Sequence, residues 1–307
     1  MTESLTIFLT AYERPSFLKE CLISLKNQTY KNFKIIVLDN SKSNKNEEII
    51  NKNKDLKIKY FKNKVNIGAV NNIHQAYDWS INTKYFMIFH DDDKMHPEYI
   101  EKCMEILTKN NNITWVGSDY TNDAKLKKID NLKKKILSKK DLIKETFKGI
   151  SFAYSSLIYD KEKIQKINFS YYFIKYSILC DRPIIIDLVN DHDNICLVEN
   201  ELIFYRIHEA QDSKTSSSEV KVNDQLNFYE YYRQNMRKNF LDLFYYNLWI
   251  SNTIFGSFRR LYNKDKISLI KFLLLAKKRN LIDVIFPFYY ILGKIYNKFK
   301  ILKKNKN

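Results

Sequence analysis

Short apolar runs alternate with helix-length amphipathic segments through the first 120 residues, and this alternation limits the possible folds more than any other feature. Residues 5–9, 35–38, 58–61, 85–89 and 114–117 each read as a strand. Between them, Pro15 suits a first helical turn, and Phe17, Leu18, Cys21, Leu22 and Leu25 recur at helical spacing. Segments 47–52, 70–81 and 97–107 also read as helices, with Ala69, Ile73, Ala76 and Tyr77 sharing one face. Apolar strands separated by helices of this length mean βαβ units and a mostly parallel sheet. Ligands of such sheets bind beyond the carboxyl ends of the strands. The polar residues gather there: Thr10 to Arg14, Asp39, and Asp91-Asp92-Asp93.

After residue 149 the pattern is less regular. Residues 152–159 read as a strand, 181–188 as a helix, and 195–198 and 201–205 as strands ending at Arg206-Ile207-His208. Residues 214–218 form a polar break. Beyond it, 222–258, 267–276 and 281–302 read as helices of a separate C-terminal element.

Composition excludes several classes. Five Gly and four Pro are too few for a collagen-like or Gly/Pro-rich disordered chain. With 22 Tyr and 20 Phe, the chain has ample surface to bury. Its four cysteines are scattered without a C-x-x-C pair, so a disulfide scaffold is excluded and reduced thiols are expected. Cys21 and Cys196 lie in apolar surroundings and read as small core residues. The start Met1-Thr2-Glu3-Ser4 lacks a basic n-region, so no signal peptide is expected. No apolar run reaches the roughly 18–20 residues of a transmembrane helix.

The formal net charge is +17, but it is unevenly placed. Residues 256–307 carry 14 Lys/Arg against Asp265 and Asp283, and residues 125–148 carry 10 Lys against Asp130, Asp141 and Glu145. The rest of the chain is close to neutral. A solvated helix face is the simple reading of each basic segment. In the tail, however, the Lys clusters sit beside long apolar and aromatic runs, which suits helices lying in an anionic membrane interface. Packing of these helices on the N-terminal domain or on a second subunit is the alternative. The charge and the aromatic content also raise a nucleic-acid-binding protein, but carboxylate-lined strand ends would repel phosphate.

Three consecutive carboxylates repel one another, and a hard divalent cation would relieve that repulsion. Alternate residues of an extended chain face the same way, so Asp91 and Asp93 are candidates to share one ion. A solvated acidic loop or helix cap is the other reading. Asp39 either caps a loop or accepts hydrogen bonds from a base or ribose. Gly68, in Asn66-Ile67-Gly68-Ala69-Val70-Asn71-Asn72, is either a helix-entry glycine or part of a loop that approaches a nucleotide. His74 and His96 read as structural or exposed.

These residues, taken in order, resemble a family 2 glycosyltransferase of the GT-A fold. The resemblance is carried by Thr6 to Pro15, Leu22 through Gln28-Thr29-Tyr30, Ile35 to Asn40, Asn66-Ile67-Gly68, and Phe89-His90-Asp91-Asp92-Asp93 with Pro97. It extends more weakly through Asp181-Arg182-Pro183 to the segment Tyr205-Arg206-Ile207-His208 and on to Ser213. It implies a GT-A domain over 1–213, with a nucleotide-sugar half at 1–120 and an acceptor half at 121–213, followed by a basic helical extension over 214–307. It also implies an inverting transfer from a nucleotide sugar, a UDP-sugar first, to a glycan or lipid-linked acceptor in bacterial surface polysaccharide synthesis.

By that resemblance Thr10, Ala11, Tyr12, Arg14, Asp39, Gly68, Asn71, Asp91 and Asp92 bind the donor. Asp91, Asp93 and His208 bind Mn2+ or Mg2+, and Asp181 is the general base, with Glu199, Glu201 and Asp187 as weaker candidates. Where the family often has an Asp, this chain has His90, which leaves the register of metal ligation open. A cytoplasmic protein on the inner membrane face is expected, with no nucleic-acid partner and with homo-oligomers an open alternative. A nucleotidyltransferase is the competing enzyme class, but residues 10–15 hold no glycine for a phosphate loop.

Overall fold

The computed structural model describes residues 5–78, 81–147, 150, 152–211 and 217–236, together with positions 241, 244–245, 247–252, 270–271, 274, 277 and 291–295. The chain forms two compact units. One gathers Met1–Lys139, Ser151–Phe169 and Ile185–His208; the other gathers Lys140–Ile150, Ser170–Ile184 and Glu209–Asn307.

The first unit is built on a nine-stranded sheet. Its strands are β1 (Leu5–Ala11), β2 (Phe33–Asp39), β3 (Ile58–Lys62), β4 (Tyr85–His90), β5 (Lys94–Met95), β6 (Ile113–Thr121), β7 (Lys134–Ser138), β8 (Ile158–Asp160) and β9 (Asn194–Phe204). The order is β3-β2-β1-β4-β8-β6-β9-β5, and β7 pairs with β9. Strands β3, β2, β1 and β4 run parallel. β8 is antiparallel to both β4 and β6, while β6 and β9 are parallel. This is the mainly parallel α/β sheet that the alternation implies.

The middle strands are continuous apolar runs because both of their faces are covered. Every residue of β1 is buried. On one face, Leu5, Ile7, Leu9, Val37, Met87 and Phe89 share a core with helix α1 (Pro15–Lys26) through Leu18, Cys21, Leu22 and Leu25. Helix α4 (Tyr99–Lys109) joins the same core through Tyr99, Ile100, Cys103 and Met104. On the other face, Phe8 and Phe86 meet edge to face. Tyr77 of helix α3 (Ala69–Asp78) packs against Phe86 and Tyr159 there. Helix α2 (Lys45–Asn51) follows β2. β3, at the sheet edge, alternates half-buried and exposed residues.

Chain order and sheet order part company at β1. After β3 the chain returns to the other side of β1 to form β4, with Thr10 opposite His90. The carboxyl ends of β1 and β4 therefore flank a topological switch point, where such sheets leave a crevice.

Several sequence expectations change in detail. The strand expected at 152–159 is a 3-10 turn, Tyr154–Ser156, followed by the three-residue β8. The two strands expected at 195–205 are the single strand β9, and its register against β6 slips at Ser118/Asp119. That slip absorbs the polar pair Glu199-Asn200 as a bulge instead of a break. The basic segment 125–148 is not one helix face. It contains β7, antiparallel to β9, and helix α5 (Lys139–Phe147). Lysines on such an edge strand discourage pairing with other chains.

The helix expected at 97–107 starts at Tyr99, with Pro97 before it. β5 and helix α6 (Phe169–Lys175) were not anticipated. Helix α7 (Asp181–Asp187) matches the expected helix closely. Helix α8 (Ser218–Met236) begins four residues earlier than expected. Apart from single positions and short turns, the helices expected beyond 236 lie outside the described residues. Among the described residues no helix is long and apolar enough to cross a membrane.

Candidate active site at the carboxyl ends of the strands

The site is built from backbone pairing outward. Thr10 O accepts the Asp91 N–H at 3.1 Å, which carries the β1–β4 ladder one residue past the strand end. Asp91 and Asp92 then turn, with the Asp93 N–H reaching back to His90 O. The extended geometry behind the expected pairing of Asp91 with Asp93 is therefore absent. The turn sends the three carboxylates to different partners.

Asp91 is fully buried, and its Oδ2 accepts the Tyr12 N–H at 3.0 Å. Its Oδ1 lies 2.7 Å from Arg14 Nη2 as an ion pair but accepts no aligned hydrogen bond among the described residues. Asp92 Oδ2 takes Arg14 Nη1 at 2.7 Å and lies 2.9 Å from His208 Nε2. Asp93 accepts Ser155 Oγ at 3.1 Å and the Arg206 N–H at 3.1 Å.

Arg206 is fixed on every side. Its Nε donates to Asp92 O at 2.9 Å, its Nη2 pairs with Glu20 at 2.7 Å, and its guanidinium lies 4.4 Å from the Phe17 ring centre. The segment from Arg206 to His208, more than 110 residues downstream of the triplet, thus joins it in space.

The charges do not balance evenly. Burial pushes Asp91 up to about 7, against the pull of Arg14. Burial and then the Asp92 charge push Asp93 up to about 8. Asp92 is also raised by burial, but Arg14, His90 and the His208 bond outweigh this and leave it below the ordinary carboxylate range. Burial disfavours the charged form of each acid in this water-poor cluster, and mutual repulsion adds to it.

The remaining candidates from the sequence take the following places. Thr10 Oγ1 lies 2.6 Å from His90 Nδ1, and Ala11 is buried beside it in β1. Tyr12 is 42% exposed. Asp39 is buried, and its carboxylate is already occupied: Oδ1 accepts the Ser41 N–H and Asn46 Nδ2, and Oδ2 accepts Tyr60 Oη at 2.7 Å. Burial and the Asp39 bond together hold the Tyr60 phenol well above the ordinary tyrosine range.

Gly68 has φ +83, a conformation that favours glycine. Its N–H is bonded to Asn66 Oδ1, and Asn71 Nδ2 donates to Ile67 O. Asn40 ties this loop to the end of β2 through Asn66, Asn63 and the Ile67 N–H. His96 is buried, and its Nδ1 accepts the Glu98 N–H, which fits a structural histidine.

Asp181 lies in the second unit, as the first residue of α7. Burial raises its carboxyl above the ordinary range, against the pull of Arg182. Glu199 and Glu201 lie on β9, and Asp187 ends α7.

Sequence reasoning missed Glu13, Ser155 and Glu20. Glu13 has φ 47, unusual for a residue with a side chain. Its carboxylate accepts the Lys42 and Ser43 N–H groups and the Ser43 hydroxyl, and its own N–H bonds Ser41 Oγ. Glu13 thereby locks the loop after β2 to the loop after β1. Nothing in the sequence marks Ser155 or Glu20, whose partners are distant. Arg206 was visible only as part of the downstream run containing His208.

The profile described as Glycosyl transferase family 2 matches residues 6–167. An uncharacterized glycosyltransferase of Haemophilus influenzae is 34% identical over 116 residues, covering 37% of this chain and 35% of its own length. The chain thus spans about a third of that relative. An uncharacterized glycosyltransferase of Methanocaldococcus jannaschii is 29% identical over 210 residues, 66% of this chain and 70% of its own length. Among solved structures, S. aureus TarS 1–349 in complex with UDP-GlcNAc aligns with a TM-score of 0.53 at 9% identity, covering 82% of this chain and 80% of that one. Mannosyltransferase PcManGT from Pyrobaculum calidifontis, in complex with GDP-Man and Mn2+, aligns at 0.51 and 10% identity, covering 98% and 88%. At such identities the likeness is one of fold, and that fold is GT-A.

The Asp39 network yields a stability prediction. Tyr60→Phe removes a donor from a buried carboxylate and is expected to lower unfolding stability by about 1.5–3 kcal/mol. Urea denaturation checks this. A midpoint equal to that of the unsubstituted protein would show that the hydroxyl contributes nothing.

Proposed function

Because the chain belongs to glycosyl transferase family 2, we propose that it moves a sugar from a nucleoside diphosphate sugar, a UDP-sugar first, to a hydroxyl of a glycan or lipid-linked acceptor, with inversion at the anomeric carbon. One observation carries this reading. Asp91, Asp92 and Asp93 are held at the β1/β4 switch point with Arg14, Arg206 and His208 around them. Such a cluster suits a dianionic diphosphate only if a further cation accompanies it.

Carboxylate oxygens suit a hard divalent ion, and Asp91 Oδ1 is buried without an aligned hydrogen bond; among the described residues, however, no three such side chains already converge as an ion's ligands. Asp91, Asp93 and His208 are the residues that would hold Mn2+ or Mg2+. Bound there, the ion would supply positive charge beside the departing diphosphate.

The chain's own groups divide the remaining work. Tyr12, the end of β2 at Asp39, and Gly68 with Asn71 at the start of α3 would line the approach for base and ribose. Arg14 and Arg206 add fixed positive charge and keep the carboxylates in place. Asp181 takes the proton from the acceptor hydroxyl. Its raised proton affinity suits that task, since a base must bind the proton that it removes. The acceptor oxygen then forms its bond to the anomeric carbon as the bond to the diphosphate breaks on the opposite face.

The C-terminal segments point to where the reaction takes place. Lys277-Lys278-Arg279, and the lysines at 298, 300, 303 and 304, follow apolar and aromatic runs. That pattern supports peripheral binding to the inner face of a bacterial membrane, where lipid-linked acceptors of surface polysaccharide synthesis lie.

Three outcomes are expected. A thermal-shift panel of UDP-glucose, UDP-galactose, UDP-GlcNAc and GDP-mannose, with and without Mn2+, should give one donor a shift of several degrees that chelation abolishes. A flat panel would count against donor binding. Asp181→Asn should reduce transfer by roughly 100-fold or more with that donor's binding intact, and unsubstituted rates would remove Asp181 as the base. Vesicles containing anionic lipid should sediment the full chain but not a chain truncated near residue 255. Equal recovery of both would place the membrane contact elsewhere or nowhere.

A further inference from the structure

Asp224 is a buried carboxylate that none of the chemistry above uses. It lies on α8 and is 2% exposed. Its Oδ1 accepts the Ser177 N–H at 3.0 Å. Its Oδ2 accepts the N–H groups of Ser177, Ile178 and Leu179 at 2.9, 2.6 and 3.0 Å. Three successive amides aimed at one point make an anion-binding concavity. Here a side chain of the same protein fills it. Bonds between amides and a charged carboxylate are among the stronger ones a protein makes.

Two further bonds leave the same helix. Asn227 Nδ2 donates to Lys175 O at 2.8 Å, and Tyr232 Oη donates to Pro183 O at 3.3 Å. Residues 224 and 227, three apart, are neighbours on the surface of α8, and 232 lies about two turns beyond 224. Together they hold the chain just before α7, at residues 175 and 177–179, and again inside its first turn at Pro183. Asp181 sits between these points. All of these residues belong to the second unit.

We propose that Asp224 is a positioning residue: by holding the amides of residues 177–179 it sets where the Asp181 carboxylate stands when it meets the acceptor. The proposal rests on Asp181 being the general base. It also makes α8 part of the acceptor machinery instead of an appendage to it. A base displaced by about 1 Å loses on the order of 100-fold in rate, so a loop held by four bonds to one side chain is a sensitive point.

The test uses the full chain and the donor selected by the panel above, with water or an added acceptor taking the sugar and nucleoside diphosphate release as the readout. Asp224→Asn keeps the size of the side chain but removes its charge. It should lower kcat about 10-fold or more and leave the donor KM within about two-fold, because the donor cluster belongs to other elements. Amide hydrogen exchange at residues 177–181 should speed up by about 10-fold while exchange in β1 and β4 stays unchanged. Asn227→Ala, a milder change, should move kcat in the same direction by a few-fold. It serves as the deciding variant if Asp224→Asn does not fold.

Unchanged exchange at 177–181 overturns the proposal. So does an unsubstituted kcat in Asp224→Asn, or in Asn227→Ala where that variant decides, alongside an inactive Asp181→Asn. Full activity in Asp181→Asn sinks the base reading instead. The exchange result then decides alone whether Asp224 holds the loop.

Discussion

The containment of three buried carboxylates is the constraint on which the rest of the site depends. Asp91, Asp92 and Asp93 follow directly from β4, and β4 is fixed by parallel pairing with β1. Burying a charge without a partner is expensive, so each acid must be met from elsewhere. Arg14 comes from the turn after β1, Ser155 from the 3-10 turn, and Arg206 and His208 from the end of β9. The layout of the sheet brings these three sources together at the carboxyl ends of β1 and β4. The proton affinities of Asp91 and Asp93 remain raised even so, chiefly because both are buried.

Around that cluster the loops are tied to one another as well as to the strands. Glu13 accepts a left-handed backbone, roughly 1–2 kcal/mol unfavourable for a residue with a side chain, while its carboxylate gathers the amides of Lys42 and Ser43. Lys62 grips the same loop from the opposite side through the Ser43 carbonyl and Asn44. Asn40, Asn63, Asn66 and Asn72 stitch the loop after β3 to the end of β2. Amide side chains suit this work because each offers both donors and acceptors and adds no charge beside an acidic cluster.

Much of this was legible in the sequence. The strands β1, β2 and β4 are readable because a strand covered on both faces must be apolar along most of its length, and the edge strand β3 through its shorter alternating run. Thr10 to Arg14 and Asp91 to Asp93 stand out because polar residues interrupt those runs at one end only. The extended backbone expected at Asp91 to Asp93 is a turn instead. The turn that replaces it is set by the bond from Asp93 N to His90 O, which no periodicity records. The division of residues 195–205 into two strands failed for a similar reason, since a bulge hides a polar pair inside a continuous ladder.

The sequence by itself determined the α/β alternation, the end of the sheet where polar chemistry gathers, and the identity of the acidic triplet, because these are local patterns of burial and charge. Tertiary structure alone decided which partner each carboxylate received. It turned Asp39 inward to Tyr60 and Asn46, brought Ser155 and Arg206 to Asp93, and set Asp224 under the chain that leads to Asp181. Apart from Asn46 with Asp39, these pairings join residues from 21 to 113 positions apart. Their partners are chosen by strand order and burial, and those are properties of the folded chain that no segment carries alone.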